Sequence, residues 1–110
     1  MANLSGALDV SCDNEHFTIT INRFSSSDIA AQLSGFSNLD WRSLVAHVAI
    51  DPDYAGSNFD AALIDKPEHA TEFVKGVYSF PRNEVGDAIA VEITDIFGES
   101  VILVHECAPP

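Results

Sequence analysis

The sequence predicts an all-β fold, an antiparallel β-sandwich, and three observations carry that prediction. Short runs of alternating or β-branched apolar residues recur at roughly 8 to 12 residue spacing. Gly, Pro, Asp and Asn clusters separate them, the residues that turns select. One Trp and seven Phe are on hand to fill the space between two sheets. A length of 110 residues is that of one domain, 1–110. With 46% apolar and 20% charged residues the chain has a core to bury and lacks the composition of disorder.

Taken in order, Phe17, Ile19 and Ile21 alternate with Thr18, Thr20 and Asn22, the period-2 pattern of a half-buried strand. Ser25-Ser26-Ser27-Asp28 supplies turn and cap chemistry, and Ile29 to Leu33 has room for a helical turn or more before Gly35. A short helical excursion is therefore expected between Ser27 and Leu39, followed by a polar connection around Trp41. Leu44 to Ile50 is nearly all apolar, with β-branched Val45, Val48 and Ile50, and reads as a buried strand ending at Asp51-Pro52. Turn residues crowd Asp51 to Asn58, after which Phe59 to Ile64 reads as a short strand and Asp65 to His69 as a loop. Glu72 to Phe80 is read as a strand bounded by Pro81, with helix open for its first half. Ile89, Val91 and Ile93 alternate with Ala90, Glu92 and Thr94. Val101 to Val104 returns after the turn at Asp95 to Ser100, giving an antiparallel hairpin with Ile89, Val91 and Ile93 inward. No repeat or internal linker interrupts the chain, and Pro109-Pro110 reads as a tail or boundary.

Charge narrows the function classes. Seventeen acidic residues face five basic ones, a formal net charge of -12, and Arg23, Arg42, Lys66, Lys75 and Arg82 are scattered. Such a field repels phosphate backbones and anionic membranes, so direct nucleic-acid and membrane binding are not expected. Three readings of the acidity stand open: a solubilising surface, an acidic face for a protein partner with a basic surface, and imitation of nucleic acid. No apolar run reaches the roughly 18 to 20 residues of a membrane span, and Met1 to Val10 lacks the pattern of a signal peptide. A soluble, cytoplasmic protein is expected. Cys12 and Cys107 lie near opposite ends without zinc-ligand spacing, and are expected as free thiols rather than one long-range bridge.

Val77-Tyr78-Ser79-Phe80-Pro81, then Gly86, then Ile89 to Ser100 resembles the closing part of a polycystic-kidney-disease (PKD) type immunoglobulin-like domain. More narrowly, Ile89 to Ser100, with its Asp95-Ile96-Phe97-Gly98 hairpin, is similar to a C-terminal segment of bacterial adenine-specific DNA methyltransferases of the type III restriction-modification kind. Asp40-Trp41-Arg42-Ser43-Leu44-Val45, followed by Ala49-Ile50-Asp51-Pro52-Asp53-Tyr54 and Phe59, is similar to an upstream run of the same family. With the strand at Phe17 to Ile21 also placed on that family's pattern, the likeness covers about two thirds of the chain. His47-Val48 stands where that family commonly has an aromatic, and Asp87 replaces the aromatic usual after the Pro/Gly turn. The resemblance implies an immunoglobulin-like sandwich of about seven strands with a short helical insertion. It also implies a non-catalytic accessory module, because the catalytic and cofactor motifs of such enzymes lie in a separate domain.

The residues themselves call for no catalytic centre, cofactor or metal. Neither an Asn/Asp-Pro-Pro-Tyr-like motif nor a Gly-rich cofactor loop is present, and no serine lies in a Gly-x-Ser-x-Gly elbow. His16, His47, His69 and His105 have no metal-ligand spacing. Asp51-x-Asp53-x-x-Gly56-x-Asn58 matches part of a calcium loop, but Ala55 and Ala62 fall at ligand positions, so an ordinary loop is expected. The expected function is a structural or protein-interaction module, not an enzyme. The alternative is an acidic DNA-mimic inhibitor of a defence or repair protein, and a small metal-dependent or hydrolytic enzyme comes third. Candidate partner-binding residues are Asp51, Asp53, Asp60 and Asp65, gathered with no base until Lys66, and Trp41, which is either core or an interface anchor.

Overall fold

The computed structural model describes residues 4–26, 42, 45–56, 58–68 and 72–106. Seven strands run through them: β1 Leu4–Cys12, β2 His16–Ser26, β3 Val45–Asp51, β4 Leu63–Asp65, β5 Val77–Pro81, β6 Ala88–Asp95 and β7 Ser100–Glu106, with a 3-10 turn at Arg82–Glu84 between β5 and β6. They form two antiparallel sheets, three strands in the order β1-β2-β5 and four in the order β4-β3-β6-β7. The fold is an all-β sandwich. The expected helical excursion between Ser27 and Leu39, Trp41, His69 and Cys107 lie outside the described residues.

Alternation sets the layers. Ile19 and Ile21 of β2, Tyr78 and Phe80 of β5, Val48 and Ile50 of β3, and Ile89, Val91 and Ile93 of β6 are buried in one cluster between the sheets. Val74, from the segment leading into β5, is wholly buried with them. The inward register expected for Ile89, Val91 and Ile93 is the one observed, each at 0% exposure. Leu8, Val10, Phe17, Val101 and Leu103 pack partly buried against this cluster.

Three elements differ from the sequence expectation. β1 was not foreseen, because Gly6 and Ala7 dilute its alternation. It exists through its ladder with β2, from Leu4↔Ser26 to Cys12↔Phe17, with an irregularity at Ala7/Leu8. At Gly6 an added Cβ would stand 3.0 Å from Leu103 Cδ1 and 3.1 Å from the Arg23 carbonyl oxygen, so the missing side chain lets β1 close over β7. The strand expected over Phe59 to Ile64 is only Leu63–Asp65, because the chain before it folds into a tied loop. Of Glu72 to Phe80, only the part from Val77 onward is strand, and Glu72 to Gly76 is neither strand nor helix.

Ile93→Ala is expected to destabilise the domain by about 2–5 kcal/mol, the cost of emptying a fully buried site. Ile102→Ala, on an outward position 43% exposed, should cost well under half as much. Denaturant titration of the two variants checks the register, since a one-residue slip would reverse their order.

Candidate functional site

The loop between β3 and β4 gathers carboxylates, and the structure divides them by role. Asp51 ends β3 and is only 4% exposed. Its Oδ1 accepts the Asp53 N–H at 3.0 Å and its Oδ2 accepts the Asp60 N–H at 2.9 Å, so one carboxylate closes the loop from both ends. Backbone bonds complete the tie: Tyr54 N–H donates to the Ala88 carbonyl, Ala62 N–H to Ile50, and Gly86 N–H to Pro52. At Gly86 the missing side chain leaves room for the Asp53 carboxylate, which an added Cβ would displace. Tyr54 and Phe59 bring their rings to 6.4 Å within the same loop. Asp53 and Asp60 are exposed, the Asp53 carboxylate lying against Gly86.

Asp65 has a different duty. It sits at the end of β4 in the four-stranded sheet, and its Oδ2 accepts the Tyr78 hydroxyl of β5 at 2.6 Å and the Lys75 N–H at 2.7 Å. The Tyr78 hydroxyl in turn accepts the Gly76 N–H at 3.1 Å. This chain of bonds joins the edge of one sheet to the edge of the other. Burial raises the Tyr78 phenol above its ordinary range, and the bond to Asp65 raises it further, with the Gly76 amide acting the other way.

Asp95 and Asp13 repeat the device at the hairpin turns. Asp95, wholly buried, accepts the N–H groups of Phe97 and Glu99 on Oδ1, both at 2.9 Å, while its own N–H donates to the Glu99 carbonyl. Gly98, at φ +88°, donates to the Asp95 carbonyl, making a three-residue loop whose last residue must be left-handed. Asp95 Oδ2 has no hydrogen-bond partner among the described residues. The turn lifts Ile96 and Phe97 to 50% exposure each. Asp13 Oδ1 accepts from Glu15 and His16, and these amides hold its carboxyl below the usual range.

At the same end of the sandwich Arg82 was not foreseen as anything but a scattered base. Its Nη1 donates to the Asp13 carbonyl at 2.9 Å and its guanidinium lies 5.8 Å from the Phe17 ring centroid. With Asn14, Glu15 and Asn83 it lines an open depression of about 470 Å³. No local motif announces this, because its partners are supplied by the β1–β2 turn, nearly seventy residues earlier.

Among the described residues no three His, Cys, Asp or Glu side chains converge for a metal ion. In the calcium-like run both Asp51 oxygens already accept backbone amides. Cys12 is a free, exposed thiol. No helix among the described residues is long and apolar enough to cross a membrane. Comparison with protein-family models, with curated proteins and with solved structures finds no match.

Asp51→Asn should cost about 1–3 kcal/mol, since an amide accepts on one atom only and leaves one loop N–H facing a second donor. Asp53→Asn and Asp60→Asn should stay within about 0.5 kcal/mol. Chemical denaturation of the three variants separates the carboxylate that holds the loop from the two it displays.

Tyr78→Phe should likewise cost about 1–3 kcal/mol, because the Gly76 amide and Asp65 both lose a buried partner. The sign of the pH dependence follows from the raised phenol. Its stabilisation is complete below the unfolded-state value, near 10, and is lost as pH rises toward the folded value. Thermal unfolding followed above pH 10 should show a decline in the wild type that is shallower in Tyr78→Phe.

Proposed function

We propose that this domain is a non-catalytic protein-interaction module of the immunoglobulin-like, PKD-like type. Its partner presents a basic surface, and its setting is that of an accessory domain of an adenine-specific DNA-modification methyltransferase, in the cytoplasm. The immunoglobulin-like type is supported by the strand order, in which β2 pairs with β5 and β3 with β6, so that the chain crosses between sheets in Greek-key fashion. The methyltransferase setting rests on the likeness of residues 40–59 and 77–100 to that family's C-terminal segment.

The observation that carries the interaction reading is the tied loop after β3. Asp51 fixes its shape, so Asp53 and Asp60 are displayed on a support that needs little ordering when a partner arrives. Ile64, 65% exposed on β4, the strand the loop leads into, adds apolar contact area. Asp51 and Asp65 belong to the support rather than to the displayed surface. A DNA-mimic needs rows of free carboxylates at phosphate spacing, and Asp51, Asp65 and Asp95 turn theirs into hydrogen bonds. The interaction reading is favoured for that reason.

The test is a pull-down from source-cell lysate with wild type and with the double variant Asp53→Asn, Asp60→Asn. A partner held at low salt should be released at about 1 M salt, where the Debye length falls to about 3 Å, and the double variant should recover several-fold less of it. Equal recovery by both proteins at both salts would remove the loop from the reading. Duplex DNA is not expected to bind; an affinity tighter than about 10⁻⁶ M at physiological salt would contradict this.

A further inference from the structure

Four strands close the sheets among the described residues: β1 and β5 in the smaller, β4 and β7 in the larger. An edge strand offers open N–H and C=O groups to any other strand, and proteins blunt such edges with brevity, charge, proline or a bulge. β4 is three residues long and runs into Lys66-Pro67. β5 is five residues and ends in Pro81, which has no N–H to give. β1 carries an exposed Asp9 midway and an irregular ladder at Ala7/Leu8.

β7 carries only a terminal charge, Glu106, and none of the other protections. Its seven residues keep an unbroken register with β6, from Ala88↔Glu106 to Thr94↔Ser100, and contain no proline, no lysine and no bulge. Not one of them is buried, and Ile102 and Val104 stand 43% and 52% exposed on the outward face.

We propose that β7 is the pairing edge of a symmetric dimer, in which it adds antiparallel to β7 of a second copy and joins the two four-stranded sheets into one. The occupant is argued from the strand's complementarity to itself. With the two-fold axis through Leu103, Ile102 falls opposite Val104 of the second copy, and Ser100 falls opposite Glu106. Aliphatic meets aliphatic, hydroxyl meets carboxylate, and no carboxylate stands directly opposite another.

Charge does not bar this edge. A chain of net charge -12 repels its own copies, yet Glu106 is the only acid in β7. The outward Glu92 pairs with Ile102 one strand back, so the two copies of Glu92 would lie three strand spacings apart, about 14 Å. That exceeds the Debye length of about 10 Å at 0.1 M salt. One seven-residue strand is small against the roughly 20–30 residues a side of a standard interface, so the dimer is weak and depends on concentration. It is independent of the loop reading above, which concerns the other edge of the same sheet.

Sedimentation velocity on the full chain, from micromolar to millimolar concentration, tests the proposal. The mean mass should climb from the monomer toward twice that value. Ile102→Glu combined with Val104→Glu should weaken association at least about tenfold, with circular dichroism reporting an unchanged fold. Ile64→Glu, the same change on the far edge of the same face, should leave it within about twofold. A second measurement keeps the test sound should the double variant not fold. In a Cys12→Ser, Cys107→Ser background, a mixture of Ile102→Cys and Val104→Cys proteins should form disulfide dimers faster than either alone. A monomer at every concentration would overturn the proposal and leave the edge to a foreign strand. Equal loss from Ile64→Glu, or crosslinking with no preference for unlike partners, would overturn it too.

Discussion

Where this chain reverses direction it exposes backbone amides to the interior or the sheet ends, and aspartate carboxylates accept them. Asp13 at the first hairpin, Asp51 at the end of β3 and Asp95 at the last hairpin each take two backbone N–H groups. Asp65 takes one, together with the Tyr78 hydroxyl. A buried amide without an acceptor costs about as much as several methylenes gain on burial, so the turns and the packing stand or fall together. The two sheets are held at their flanks by the same chemistry, since the Asp65–Tyr78 bond spans from β4 to β5 while the apolar cluster fills the middle.

This changes the meaning of the acidity. A net charge of -12 looks like a uniform surface property, but the carboxylates divide into those that accept turn amides and those that face solvent. Asp51 and Asp95 are almost wholly withdrawn from water, whereas Asp53 and Asp60 are exposed on the loop that Asp51 shapes. Neutralising acids indiscriminately would therefore unfold turns as well as reduce charge. At this exposed pair, charge can be removed at little structural cost.

The surface is uneven in another respect. The outward face of the three-stranded sheet carries Asp9, Ser11, Thr18, Thr20 and Ser79, polar groups suited to water, with Val77 as the apolar exception. The outward row of the four-stranded sheet runs Ile64, Ala49, Glu92, Ile102, with Val104 beside it. One face is polar and the other has exposed aliphatic side chains at both its edges, on β4 and on β7.

What the sequence determined by itself is what depends on near neighbours. The strands at Phe17 to Ile21, Val45 to Ile50 and Ile89 to Ile93 were legible because a period of two and β-branching decide them within a few residues. The turn at Asp95 to Glu99 was legible because its acceptor, amides and left-handed glycine lie within four positions of one another. The tertiary structure alone decided β1, whose weak alternation becomes a strand only against β2 and over β7, and the short extent of β4. It also decided the roles of the loop carboxylates. Asp51 meets Asp60 nine residues on and Asp65 meets Tyr78 thirteen residues on, separations at which no local pattern tells a carboxylate that accepts an amide from one that faces water. Burial and hydrogen-bond partnership are properties of the packed sheets, and the same four letters read alike until the sheets bring their donors to them.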